Sequence, residues 1–252
     1  LRPGGHSRPP HRPGTEREGG VELGVIMLYL MMYSDFIWVA IAAYFCGCFN
    51  GAVIVSKYIL RDDIRTHGSG NAGLTNFYRT FGGFLTLVVI LCDVLKAVIA
   101  IRIGMWFGAN FDPRIMPDFP LAAEQAVHYL NLFKYWAGLW CLLGHMFPCM
   151  FHFKGGKGIL SGGTIAIMID WRIALVVWGG FLVLAVVTRY VSLGSCWAGA
   201  SFPFATWFVY QDAVLLILSI IIGGLILYMH RANIHRLLTG TENKFSLHHK
   251  KG

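Results

Sequence analysis

Charge is what this 252-residue sequence has least of. Only 13% of its residues are Asp, Glu, Lys or Arg, about half the ~25% of an ordinary soluble domain. Acids are scarcer still, 13 against 21 Lys and Arg, while 56% of the chain is hydrophobic. That balance excludes an ordinary soluble globule. Other absences exclude particular chemistries. The six cysteines (Cys46, Cys48, Cys92, Cys141, Cys149 and Cys196) include no CxxC pair. Neither a zinc site nor a disulfide framework is expected, and they read as small buried hydrophobes. No acidic cluster points to a metal, and no cofactor is expected. No His is followed five positions later by Asp, and GxSxG and HExxH are missing, which removes three common catalytic signatures. The net charge of +8 is assigned to membrane loops and anionic ligands, not to nucleic acid.

What is present is a series of apolar blocks. Crossing the hydrocarbon core takes ~20 mostly apolar residues. Candidate helices lie near 35–56, 83–108, 129–147, 159–171, 172–188, 194–209 and 213–230, with "IDWR" (169–172) as a hairpin. The expected fold is therefore all-α: a polytopic integral membrane helix bundle of about seven transmembrane helices, with five as the next count. Residues 1–22 are rich in Pro, Gly and Arg and read as disordered. Leu stands at position 1 and Met27 precedes the first apolar run. Residues 1–26 are thus expected to be a disordered tail and an over-extended gene start, and 27–252 a single membrane domain.

Charge placement orients the bundle. One side receives Lys57, Arg61, Arg65, Arg79, Lys154, Lys157, Arg189, Arg231 and Arg236. The other receives Arg114 and Arg172 among Asp112, Asp118, Glu124, Asp170 and Asp212. The basic side is expected to be cytoplasmic, with the N-terminus outside and the C-terminus inside.

The unusual polar segments share that basic side. "HGSGNAGLTNFYRTFGG" (67–83) spells Gly68-x-Gly70-x-x-Gly73, but it follows a membrane helix, not a strand, so it is not a dinucleotide fingerprint. Its glycines free backbone N–H groups for an anion. Ser69, Asn71, Thr75 and Asn76 add hydrogen-bonding groups, and Arg79 a fixed, forked cation. "GHMFPCMFHFKGGKG" (144–158) brings His145, Lys154, Gly155, Gly156, Lys157 and Gly158 to the start of a helix, where anions bind. It is not a Walker A loop, since no Ser or Thr follows Lys157. "TRYVSLGS" (188–195) carries Arg189, Ser192 and Ser195. "HRANIHRLLTGTENK" (230–244) puts His230, Asn233 and Arg236 at helical spacing. Each segment alone also fits an interfacial loop or a positive-inside anchor. Asp93 and Lys96, three apart within a span, are expected to pair with each other.

Taken in order, these segments resemble the bacterial acyl-phosphate:glycerol-3-phosphate acyltransferases of PlsY type. "GSGNAGLTNFYR" (68–79), "GHMFPCMFHFKGGKG" (144–158), "RYVSLGS" (189–195) and "HRANIHRLLTGTENK" (230–244) match that family's motifs, and the likeness runs from about residue 33. Leu74 stands where Ala is usual, and "ILS" (159–161) where "VAT" is common; neither removes a charged group.

The resemblance implies a multi-pass enzyme of the inner membrane with its active site facing the cytoplasm. It would move a fatty acyl group from acyl phosphate to the 1-hydroxyl of sn-glycerol 3-phosphate. Lysophosphatidic acid and phosphate are the products, in the first acylation of phospholipid synthesis. Implied partners are the two substrates, membrane lipid and the soluble enzyme that makes acyl phosphate. Expected catalytic residues are His230, Asn233, Ser69, Arg79, Lys154 and Lys157. Expected substrate and phosphate contacts are Gly68, Gly70, Asn71, Gly73, Thr75, Asn76, His145, Gly155, Gly156, Gly158, Arg189, Ser192, Ser195 and Arg236. A membrane transporter of a small phosphorylated solute is the alternative; it would be supported by inverted repeats or paired broken helices, and no internal repeat is visible in the sequence.

Overall fold

The seven apolar blocks appear as helices in the computed structural model, which describes residues 15–110 and 123–245. They are α1 (Thr15–Cys48), α4 (Leu85–Asn110), α5 (Ala123–Met146), α6 (Ile159–Ile169), α7 (Trp171–Thr188), α8 (Val191–Tyr210) and α9 (Ala213–Met229). Three short helices join them: α2 (Gly51–Ile54), α3 (Leu74–Thr80) and α10 (Arg231–Leu238). Residues 1–14 of the expected tail lie outside the described residues, as do Asp112, Arg114 and Asp118. From Thr15 the backbone is helical and runs straight into the first apolar block, so residues 15–26 are not the unstructured segment their composition suggests.

Outward-facing side chains are apolar, as they are where lipid replaces water. Phe208 is 88% exposed and Val187 76%. By length and composition α7 is long and apolar enough to cross a membrane alone. Among the described residues two bent pairs, Tyr33–Cys48 with Gly51–Ile59 and Ala213–Met229 with α10, bring that number to three if each pair is counted as one span.

Packing between helices relies on small residues that let backbones touch. A Cβ at Gly47 of α1 would lie 2.0 Å from the Cys141 carbonyl oxygen of α5. One at Gly144 would meet the Tyr44 carbonyl at the same distance. Gly199 and Gly223 seat α8 on α9 in the same way. Around these contacts Val39, Ile101, Phe133, Tyr135, Leu142, Ile165 and Ile222 form the main core.

The "IDWR" hairpin is present. The Asp170 side chain caps α7 by accepting from Arg172 N–H at 2.8 Å, and Tyr210 donates to the same carboxylate at 3.3 Å. It does not separate two full spans. α6 has 11 residues, about 16 Å at 1.5 Å per residue, roughly half the hydrocarbon thickness. Because α6 and α7 share this turn, the shorter helix starts ~10 Å below the level where α7 ends. That recess draws the segment ahead of α6 down into the bundle.

Residues 56–82, expected as a loop, are largely short helical turns over a second small core of Ala52, Val53, Ile64, Ala72, Phe77, Val89 and Phe151. Asn50 ties this layer down. Its side chain accepts from Val53 N–H at 3.1 Å and donates to the Ala72 carbonyl at 3.1 Å.

Candidate active site

At the end of the bundle where α1, α5, α7 and α9 finish and α4, α6 and α8 begin, the four polar segments surround one cavity of about 620 Å³. The glycine-rich loop forms one wall. Gly68 and Gly70 turn it through left-handed backbone, φ +54° and +68°, and a Cβ at Gly68 would lie 2.3 Å from Asn76 Oδ1. Asn76 holds the turn together. Its Oδ1 accepts from Ser69 N–H at 3.1 Å, and its Nδ2 donates to the carbonyls of His67 and Asn71, each at 3.0 Å. Gly68, Ser69, Asn71, Gly73, Thr75, Asn76 and Arg79 line the cavity; Gly70 does not. Among the described residues, no carboxylate pairs with Arg79.

The second wall divides the "GGKG" residues by task. Gly155 and Gly156 donate their N–H groups back to the Met146 and His145 carbonyls, each at 3.1 Å. A Cβ at Gly155 would sit 2.0 Å from the His145 carbonyl oxygen. These two glycines therefore press the loop onto α5 and do not offer amides to an anion. Lys157 and Gly158 face the cavity, whereas Lys154 is exposed outside it. The Lys157 ammonium donates to Asn233 Oδ1. Burial lowers its pKa, and the nearby Arg236 guanidinium lowers it further. Gly158 hands the chain to α6, whose positive end opens on the cavity.

The first turn of α8 gives the third wall. Ser195 Oγ donates to the Val191 carbonyl at 2.9 Å. Ser192 is buried beside the Glu242 carboxylate, which its hydroxyl helps to hold low. Arg189 ends α7 with an exposed side chain outside the cavity.

Opposite lies the junction of α9 with α10, bent by 61°. It turns His230, Asn233 and Arg236 inward. His230 Nδ1 lies 2.8 Å from the Ile226 carbonyl. A carbonyl only accepts, so Nδ1 carries a proton and Nε2 of the neutral ring keeps its lone pair.

The cavity lining also includes residues outside the expected set, Glu242, Asp93, Trp178 and Phe181 among them. Glu242, its side chain only 7% exposed, accepts from Asn233 Nδ2 at 2.8 Å and from Arg236 Nε at 2.7 Å. Its signal was an acid inside the most basic motif. Asp93 reaches the cavity from α4, and Trp178 and Phe181 give it an apolar side from α7. Nothing in their local sequence marked the two aromatics.

Burial opposes ionisation of Glu242, but the hydrogen bonds from Asn233 and Arg236 outweigh it and hold the carboxyl below its ordinary pKa. A depressed native pKa contributes stability that is complete above the unfolded value, ~4.3, and is lost as pH falls through the native value. Glu242→Gln is therefore expected to lower Tm at pH 7, with the gap to wild type closing below about pH 4. Thermal unfolding in detergent across pH reads this directly. A gap that stays constant down to pH 3 would contradict it.

The sequence profile of the family described as glycerol-3-phosphate acyltransferase matches residues 37–240. This chain belongs to that family. The glycerol-3-phosphate acyltransferase of Fusobacterium nucleatum is 34% identical over 205 residues, covering 81% of this chain and 95% of that protein. That of Chlorobaculum tepidum is 35% identical over 237 residues, covering 85% and 98%. Among solved structures the acyltransferase resembles PlsY (YgiH), an integral membrane glycerol 3-phosphate acyltransferase. In its glycerol 3-phosphate form the identity is 31% and the TM-score 0.69, over 84% of this chain and 96% of that one. In its lysophosphatidic acid form the TM-score is 0.66.

Proposed function

We propose that this acyltransferase moves a fatty acyl group from acyl phosphate to the 1-hydroxyl of sn-glycerol 3-phosphate, releasing lysophosphatidic acid and phosphate. The observation that carries this reading is the cavity itself. Arg79, Lys157 and Arg236 converge there with a single carboxylate, Glu242, between them and a second, Asp93, already paired with Lys96. Two phosphate groups brought together in a partly dry site need such an excess of cations. The apolar side suits the fatty chain. Trp178, Phe181 and Ile159 lead into a narrow recess floored by Ile165, Phe202 and Ile226.

The 1-hydroxyl attacks the acyl carbonyl and gives its proton to His230 Nε2. The tetrahedral intermediate then collapses, and the bond from carbonyl carbon to phosphate oxygen breaks. Phosphate is a good leaving group, so the protein has mainly to align two anions, which supplies roughly 7–11 kcal/mol, and to stabilise developing charge. Ser69, Asn71 and Arg79 hold the donor's phosphate. Lys157 stands between the two anions, Ser192 and the first turn of α8 take phosphate oxygens, and His230, Asn233 and Arg236 orient glycerol 3-phosphate.

The cavity end of the bundle carries the basic residues and faces the cytoplasm on this reading, within the inner membrane. That places the C-terminus inside, where a soluble enzyme supplies acyl phosphate. Purified protein in detergent, given palmitoyl phosphate and glycerol 3-phosphate, is expected to release phosphate only when both are present. No release, with saturable glycerol 3-phosphate binding, would favour a transporter.

A further inference from the structure

At the cavity wall formed by α4 and α5 lies a cluster of three ionisable side chains that the mechanism above leaves unused. Asp93 and Lys96 sit one turn apart on α4, and His145 faces them from α5; each side chain is only 3% exposed. Lys96 Nζ is 2.6 Å from Asp93 Oδ1, 2.6 Å from His145 Nδ1 and 3.3 Å from the Phe49 carbonyl oxygen. An ammonium has three protons and no lone pair, so all three contacts are donations. His145 Nδ1 is therefore an acceptor. Its ring proton is on Nε2, and with Nδ1 occupied the ring has no lone pair left to take a proton from substrate.

We propose that His145 is a hydrogen-bond donor to an oxygen of the acyl phosphate, held in its Nε2–H tautomer by the buried Lys96 ammonium. The proposal rests on the function given above and gives His145, expected there as a substrate contact, a specific task, with Lys96 as the residue that positions it. Its first support is placement. His145 lines the cavity on the same side as the glycine-rich loop and "GGKG". Its Nε2 edge lies against Gly156, where a Cβ would come within 2.3 Å. Glycine at 156 leaves that edge open. Among the described residues no acceptor takes the Nε2 proton.

The second support is contrast with His230. That ring has its proton on Nδ1, spent on the Ile226 carbonyl, and Nε2 free to accept. The two histidines of one cavity are thus fixed in opposite tautomers. One can receive the hydroxyl proton, and the other can only give a hydrogen bond. Environments that push two like groups into opposite roles mark an acid–base pair of tasks. Here His145 stands on the donor side and His230 on the acceptor side of the transfer. Lys96 is a positioning residue, acting through His145, and Asp93 balances its charge.

Two measurements test this. Nitrogen-15 NMR of histidine-labelled protein in detergent, with the His145 signals assigned by their loss in His145→Gln, should show a protonated Nε2 and an unprotonated Nδ1 at neutral pH. The reverse tautomer overturns the proposal, and this result needs no substrate. The double change Asp93→Asn with Lys96→Met removes both charges together. It should release the tautomer preference and lower kcat at least ~10-fold without altering KM for glycerol 3-phosphate.

Among single variants, His145→Gln puts an amide donor near Nε2. It should keep activity within ~10-fold of wild type, whereas His145→Ala loses ~10²–10³-fold, the usual range for one oxyanion donor. A folded His145→Gln as inactive as His145→Ala also overturns the proposal. If the donor were not acyl phosphate, wild type itself would form no product from palmitoyl phosphate, while the tautomer result would stand unchanged.

Discussion

His230→Ala, assayed with both substrates saturating, is expected to lose between ~10² and ~10⁴ in kcat, the range for a positioned general base. The geometry is specific. The ring is buried at the bend between α9 and α10, and its Nδ1–H is taken by the Ile226 carbonyl at 2.8 Å. The lone pair on Nε2 is then free to accept the hydroxyl proton. Asn233 and Arg236, about one and two turns of helix away, would hold the phosphate end of the same substrate on the proposed reading. His230→Gln is expected to fail like alanine, because its amide cannot take the proton. A loss below about 100-fold would remove His230 as the base and give the task to a phosphate oxygen of the donor.

Lys157→Met is expected to cost ~10²–10³ in kcat/KM, while Lys154→Met costs less than about fivefold. A charge-assisted hydrogen bond in a site shielded from water contributes about 1.5–3 kcal/mol, and more where charge develops in the transition state. Lys157 meets those conditions: it lines the cavity, it is largely withdrawn from solvent, and Asn233 holds it. Lys154, three residues earlier, points into solvent outside the cavity, where an ion pair contributes ~0–1 kcal/mol. Steady-state kinetics on both variants separates them. Equal losses would mean that the loop moves Lys154 inward on binding substrate.

Much of the fold was legible because the information is local. Each apolar block is long enough to be helical wherever it packs, and Asp170 and Asp212 stand where caps are needed. That α6 is short was legible, since residues 159–171 fall below the ~20 needed to cross the hydrocarbon core; its recess was not, because it depends on where the preceding loop is pinned to α5. The site was legible as chemistry, through four glycine-and-cation segments, and less so as geometry. Arg189 looked like Arg79 in sequence, yet one ends outside the cavity and the other inside. Glycines 155 and 156 looked like an anion-binding loop, yet their amides serve α5.

By itself the sequence determined that this is an all-helical chain whose polar chemistry gathers on one side, because hydrophobicity and charge act on segments of a few residues. Only the tertiary structure decided which of two neighbouring lysines faces the cavity, that Glu242 binds Asn233 and Arg236, and that two histidines carry opposite tautomers. Lys157 and Asn233 are 76 residues apart, and Lys96 and His145 are 49 apart. Such contacts are set by how closely helices approach at Gly47, Gly144, Gly199 and Gly223, and no local pattern encodes that distance.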